Sequence, residues 1–232
     1  MMRYVLTHKR KIVLILIILI LTVFAFYYIY NNSINHDALM IKQEYEFYNN
    51  QETRDEVPYP IVYLKRNMDI TNITLSTALE KIDKSSGIIF IGDAKDFNSR
   101  YALPVILQVA EENGKEVLYL DGSHLRDEYV VKNKELKKEK GASKNYYKLL
   151  ELLGDSLNDY IVYDDKGESY PVGEKRLEYP TVVFFSNGEI KGVHVGVDDQ
   201  DMLNGNEKLI KIYSTYIKKI ESNVCAIEST GC

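Results

Sequence analysis

Tryptophan is absent from this 232-residue chain, histidine occurs four times and cysteine twice. Both cysteines, Cys225 and Cys232, lie at the extreme C-terminus, and the histidines (His8, His36, His124, His194) are scattered along the chain. No pair or quartet has zinc-ligand spacing, so a structural zinc module is excluded, and nothing in the sequence calls for a cofactor. P-loop, GxGxxG, HExxH and GxSxG patterns are also missing. Lysine and arginine number 29 against 34 acidic residues, a net charge of −5, so the basic footprint of a nucleic-acid binder is lacking. There is no internal repeat and no low-complexity stretch.

What is present begins with one long apolar run. Residues 12–30 read IVLILIILILTVFAFYYIY, without a charge. Nineteen helical residues span roughly 28 Å, close to the hydrocarbon thickness of a bilayer. Arg3, Lys9, Arg10 and Lys11 precede the run, and Tyr27, Tyr28 and Tyr30 close it as an interfacial belt would. The positive-inside rule then places 1–11 in the cytoplasm and 31–232 outside the membrane. The apolar run is long for a signal peptide, and no small-x-small site follows it, so an uncleaved single-pass anchor is expected. An extracytoplasmic setting lets Cys225 and Cys232 pair as a structural disulfide. Such a loop restricts the unfolded chain by roughly 2.5 kcal/mol. An intermolecular or redox-active role is the alternative.

Residues 31–70 are polar and read as a juxtamembrane stalk, with a helical stretch around Ala38–Tyr48 and a leading edge strand at Val57–Leu64. The stretch 71–222 carries the signals of a domain, and 223–232 those of a tail. A short helix capped at Thr74 or Ser76 leads to Ile88–Ile91, an apolar run typical of a strand buried on both faces. Asp96 then precedes a helix of about 16 residues, stopped at Asn113-Gly114. Lys115–Leu120 gives a second strand, and the three elements form a βαβ unit. Lys132–Lys140 reads as a solvated helical face and Tyr146–Leu153 as an amphipathic helix. Thr181–Phe185, Asn187-Gly188 and Glu189–Val197 read as a hairpin. A final helix spans about Met202–Ile220. The fold class expected is α/β, a central mixed sheet flanked by helices, with a helical insertion at Leu125–Glu178 and one N-terminal transmembrane helix.

The segment Ile88–Gly92 leading into Asp96-Phe97-Asn98-Ser99-Arg100, then Pro104, and Tyr179-Pro180-Thr181 opening an apolar strand together resemble the thioredoxin-like superfamily. The nearest look is to bacterial membrane-bound proteins of the bacteriocin-transport-accessory type. The resemblance implies that Pro180 is cis and faces the helix start where the family carries Cys-x-x-Cys. Here Asp96 and Ser99 stand at the two cysteine positions. Thiol exchange needs a thiolate at a helix N-terminus and a resolving partner. Neither Asp96 nor Ser99 supplies one. Asp96 suits a helix cap, worth about 0.5–2 kcal/mol, with a general base or metal ligand as the alternative. Arg100 is read as a solvated helix residue or as a holder of an acidic group.

By the resemblance, Pro180 leaves the Tyr179 backbone free to pair with an extended peptide; its other reading is purely structural. The degenerate-motif and peptide-binding candidates are therefore Asp96, Phe97, Asn98, Ser99, Arg100, Tyr179 and Pro180. The function expected is a peptide- or protein-binding accessory factor in export or maturation, and not an enzyme. A thiol–disulfide oxidoreductase using Cys225 and Cys232 is the rival, and a purely structural domain the third reading. Asp198, Asp199 and Asp201 are read as caps, with weak calcium binding the alternative. Asn31-Asn32-Ser33 and Asn72-Ile73-Thr74 match a glycosylation pattern that is common by chance.

Overall fold

The computed structural model describes residues 13, 15–25, 35–198 and 206–228, with side chains up to 222. Residues 13 and 15–25 are helical, and their large apolar side chains are 50–67% exposed. Among the described residues no helix is long and apolar enough to cross a membrane. The expected 12–30 span lies partly outside them.

Helix α1 (His36–Phe47) opens the domain. Asn35 caps it by accepting from Ala38 N, and the same side chain donates to Met68 O and Ile70 O. One residue thus ties the helix start to the start of β1 (Ile70–Asn72). Ala38, Ile41 and Tyr45 are fully buried in the main core. The arm that follows is extended but forms no strand. Its backbone bonds instead to side chains at and just after the end of α1: Asn49 brackets Val62 on both sides, and Glu46 accepts from Leu64 N. The expected stalk and leading strand are therefore corrected: residues 35–70 are part of the packed domain. The sequence hid this because α1 buries only three residues, each about a turn from the next, within a polar stretch.

α2 (Leu75–Lys84, capped by Thr74), β2 (Ser86–Gly92), α3 (Phe97–Glu112) and β3 (Val117–Asp121) follow, and further along come β8 (Thr181–Ser186) and β9 (Glu189–Val195). The five-stranded sheet has the order β1-β3-β2-β8-β9. β1, β3 and β2 run parallel, whereas β8 and β9 are antiparallel additions. β2 and β8 are apolar without alternation because both sheet faces are covered. Ile88, Phe90, Val182 and Phe184 face a core shared with α1, α3 and the C-terminal helix. Ile89, Ile91, Val183 and Phe185 face a second core with α2 and α4. The β8–β9 turn falls at Asn187-Gly188, both at positive φ, as the Asn-Gly signal predicts. The C-terminal helix, α5 (Glu207–Glu228), runs further than expected and buries Leu209, Tyr213, Ile217 and Ile220.

The segment between β3 and β8 is only partly helical, and the expected helical insertion is corrected here. It holds hairpin β4–β5 (Glu128–Lys132, Glu135–Lys140), α4 (Lys144–Leu153), a 3-10 turn, and hairpin β6–β7 (Asn158–Tyr163, Ser169–Arg176). The charged stretch read as a helical face turns back at Asn133-Lys134, both at positive φ. Its charges pair across the hairpin, Lys132 with Glu139 and Lys140 with Glu128. A run with almost no apolar residues has no period to read, so charge density alone misled.

If α1 belongs to the cooperative unit, Ile41→Ala should cost about 2–5 kcal/mol in urea unfolding. Phe47→Ala, at an exposed position of the same helix, should stay within about 0.5 kcal/mol of wild type. An unchanged midpoint for both would place α1 outside that unit.

Candidate functional site

β2 ends at Gly92, and a short loop delivers the chain to α3. Asp96 is the N-cap, and its Oδ1 accepts from Ser99 N at 2.6 Å. Free backbone N–H groups at a helix start need such an acceptor. Ser99 is fully buried, and its Oγ accepts from Asp93 N at 3.2 Å. A side chain at Gly92 would collide with the Phe90 ring at 2.4 Å and with Ser99 Oγ at 2.9 Å. Asp96 thus caps the helix, and the buried Ser99 hydroxyl closes the loop. Loss of solvent raises the Asp96 pKa, the Ser99 hydrogen bonds pull it down, Asp93 pushes it up and Arg126 pulls it down.

Arg100 departs from both of its sequence readings. It is 1% exposed and holds no acidic group. Its guanidinium donates to Pro60 O (2.8 Å), Tyr45 O (2.7 Å), Ala94 O (3.0 Å) and Asn49 Oδ1 (2.7 Å), and it lies 5.7 Å from the Tyr59 ring centre. It is a structural tie between α3, the site loop and the N-terminal arm. Burial lowers its pKa.

Phe97 and Asn98 are partly exposed at the rim, with Phe97 against Tyr59 at 5.4 Å. The Tyr179–Pro180 bond is cis, and both residues are buried. The Tyr179 hydroxyl donates to Gly122 O, while Gly122 N donates to Gly92 O at 2.7 Å. Gly122 therefore links the end of β2 to Tyr179. A side chain there would meet the tyrosine ring at 2.5 Å. Arg126 stacks 3.9 Å from the centre of that ring and donates to Leu177 O at 3.4 Å. Gly122 and Arg126 both contact Tyr179, and Gly122 also bonds the end of β2, so one turn joins the cis-proline segment to the strand that leads into α3. Burial pushes the Tyr179 phenol up. Among the described residues, Tyr179 N–H and C=O make no hydrogen bond.

Sequence reasoning missed Asp93, Asp121, Gly122, Arg126 and Glu44. Asp121-Gly122 was legible as a turn, but no local signal gave its contact with Tyr179, and Arg126 lies in the insertion. Loss of solvent and the Asp121 and Asp93 carboxylates raise the Glu44 pKa, against Lys95. Asp198 pairs with Lys208 at 2.7 Å, while Asp199 and Asp201 lie outside the described residues. Cys225 falls on the last turns of α5 and Cys232 outside the described residues. Among the described residues no three His, Cys, Asp or Glu side chains are grouped to hold a metal ion.

No family model and no curated protein matches the chain. Among solved structures it is similar to oxidized thioredoxin O1 from Arabidopsis thaliana, with 16% identity, 60% of this chain and 96% of that one covered, and a TM-score of 0.33. Thioredoxin O2 from the same plant gives 17% identity, 62% and 96% coverage, and a TM-score of 0.31. Likenesses this distant carry no weight beside the molecule's own topology. The strand order, the capped helix after β2 and the cis-proline opening β8 describe a mixed α/β fold with a central mixed sheet, consistent with a thioredoxin-like one.

Arg100→Met should cost at least about 2 kcal/mol, because it strands several buried acceptors at once. Arg100→Lys should recover only part of it, since an ammonium lacks the planar fork. Thermal unfolding reads both. Asp96 titrates with a folded pKa above its ordinary 3.8, so the folded state binds the proton more tightly. Its contribution favours folding at low pH and is lost as pH rises through the raised value. Asp96→Asn, which keeps a cap without a titrating group, should flatten that part of the stability–pH curve.

Proposed function

We propose that this chain is a membrane-anchored, extracytoplasmic thioredoxin-like domain that binds an extended peptide or partner protein without thiol–disulfide exchange, as an accessory factor in export or maturation of the bacteriocin-accessory kind. The observation that carries the non-redox part is the occupation of the helix start. Asp96 Oδ1 holds Ser99 N, Ser99 Oγ holds Asp93 N, and the loop is closed by hydrogen bonds where exchange would require two sulfurs. Binding is supported by the unpaired main chain of Tyr179 and by the partly exposed Asp96, Phe97 and Asn98 at the helix start. A strand-like segment of a partner would satisfy those groups. The turn from Gly122 to Arg126 covers Tyr179 and must shift for that pairing. Anchoring is supported by the apolar side chains of 13 and 15–25, at least half exposed, which a bilayer would cover.

Two measurements test this. The full chain should reduce insulin in dithiothreitol no faster than background, and carboxymethylated ribonuclease A, an unfolded chain without thiols, should bind with an affinity that Asp96→Ala and Asn98→Lys each weaken. Turnover that disappears in Cys225→Ser, or binding indifferent to both substitutions, overturns the proposal. Alkaline carbonate washing should leave the chain with the membrane pellet, and release into the supernatant would refute the anchor.

A further inference from the structure

The site loop continues into an aromatic strip that belongs to the N-terminal arm. Phe47, 65% exposed, meets Tyr48 edge-on at 5.1 Å. Tyr48 meets Tyr59 at 5.4 Å, and Tyr59 meets Phe97, the first residue of α3, at 5.4 Å. Four rings in unbroken contact therefore run from α1 to the helix start. Phe47 is exposed and the other three rings are half-buried, Tyr48 against the core, so the strip presents part of each ring to solvent.

The charge beside the strip is mixed, with four carboxylates against the chain's own Lys95 and Arg100. Glu44 lies one turn before Tyr48 on α1, and Asp96 directly precedes Phe97. Asp93 and Asp121 complete the group, and both act electrostatically on Glu44. None of the four carboxylates takes part in an ion pair among the described residues. Asp96, Asp93 and Asp121 accept from backbone N–H groups of their own turns, while Arg126 acts electrostatically on Asp96 and Lys95 on Glu44. The rings already receive cations of this chain: Lys95 Nζ stands 5.6 Å from the centre of Tyr48, and the Arg100 guanidinium 5.7 Å from that of Tyr59. Ring faces attract cations, and more so when carboxylates stand nearby.

We propose that the strip Phe47–Tyr48–Tyr59–Phe97, with the carboxylates of Glu44, Asp93, Asp96 and Asp121 beside it, is the docking surface for an extended, lysine- or arginine-bearing segment of a partner polypeptide. This rests on the reading that the domain binds polypeptide, and adds the chemistry of the partner and the surface it crosses. Aliphatic stems of the basic side chains lie along the rings while their charged ends meet the carboxylates. Lys95 competes for the Tyr48 ring as the chain's own cation. The surface lies on the arm and on α3, so it is open while the turn over Tyr179 remains closed.

The test uses the full chain in detergent micelles and a short fluorescein-labelled peptide alternating lysine with valine. Companion peptides carry glutamate or serine in place of lysine. The lysine peptide should bind, and more weakly as salt rises. Phe47→Ala and Glu44→Gln, both at exposed positions, should each weaken it by at least about threefold, whereas Lys95→Ala should tighten it. Equal binding of the glutamate peptide, or affinities indifferent to Phe47 and Glu44, overturns the proposal. If carboxymethylated ribonuclease A still binds in an Asp96-dependent way while the lysine peptide does not, only the partner chemistry falls. If neither binds, the protein-binding reading falls with it.

Discussion

The guanidinium of Arg100 sits in the interior with neutral acceptors around it: three main-chain carbonyls and the Asn49 side chain. A buried cation is costly to desolvate, and only a full set of hydrogen bonds offsets that cost. Each acceptor comes from a different stretch of chain, at Tyr45, Asn49, Pro60 and Ala94. The site loop, the first turn of α3, the end of α1 and the extended arm are therefore held by one side chain. The aromatic strip exists because of it, since Tyr48 and Tyr59 are brought to Phe97 by the same arm that supplies Pro60 O and Asn49 Oδ1.

A second tie runs through Gly122. It donates to the end of β2 and accepts from Tyr179, and a Cβ would not fit between them. Arg126, one turn later, stacks on the same tyrosine and pulls the Asp96 pKa down. The insertion is thus part of the site: its first residues cover the cis-proline segment. The helix start before α3 is closed by a cap and a buried hydroxyl, and a turn covers the tyrosine before the cis-proline.

Much of the sheet was legible because its signals are local. Ile88–Ile91 and Thr181–Phe185 are apolar on both faces, Asn187-Gly188 fixes a tight turn, and Asp96 is followed by a helical period ending at Asn113-Gly114. The cap role of Asp96 and the cis Tyr179–Pro180 bond were expected, the second through the family resemblance. Arg100 was misread because a helix position next to a polar residue carries no sign of burial; three of its four acceptors lie 40 to 55 residues earlier. The hairpin β4–β5 was misread because a run of charges has neither a helical nor a strand period.

The sequence by itself determined four of the five sheet strands, β2, β3, β8 and β9, the cap at the helix start and the lack of reactive sulfur there, since each depends on residues a few positions apart. Only the tertiary structure decided that residues 35–70 belong to the domain, that Arg100 is its internal tie, and that Gly122 and Arg126 close over Tyr179. Those outcomes depend on hydrogen bonds and ring contacts between segments far apart in the chain. Such contacts leave no periodicity for a single sequence to display, because what selects them is the need of buried polar groups for partners, wherever the fold brings those partners within reach.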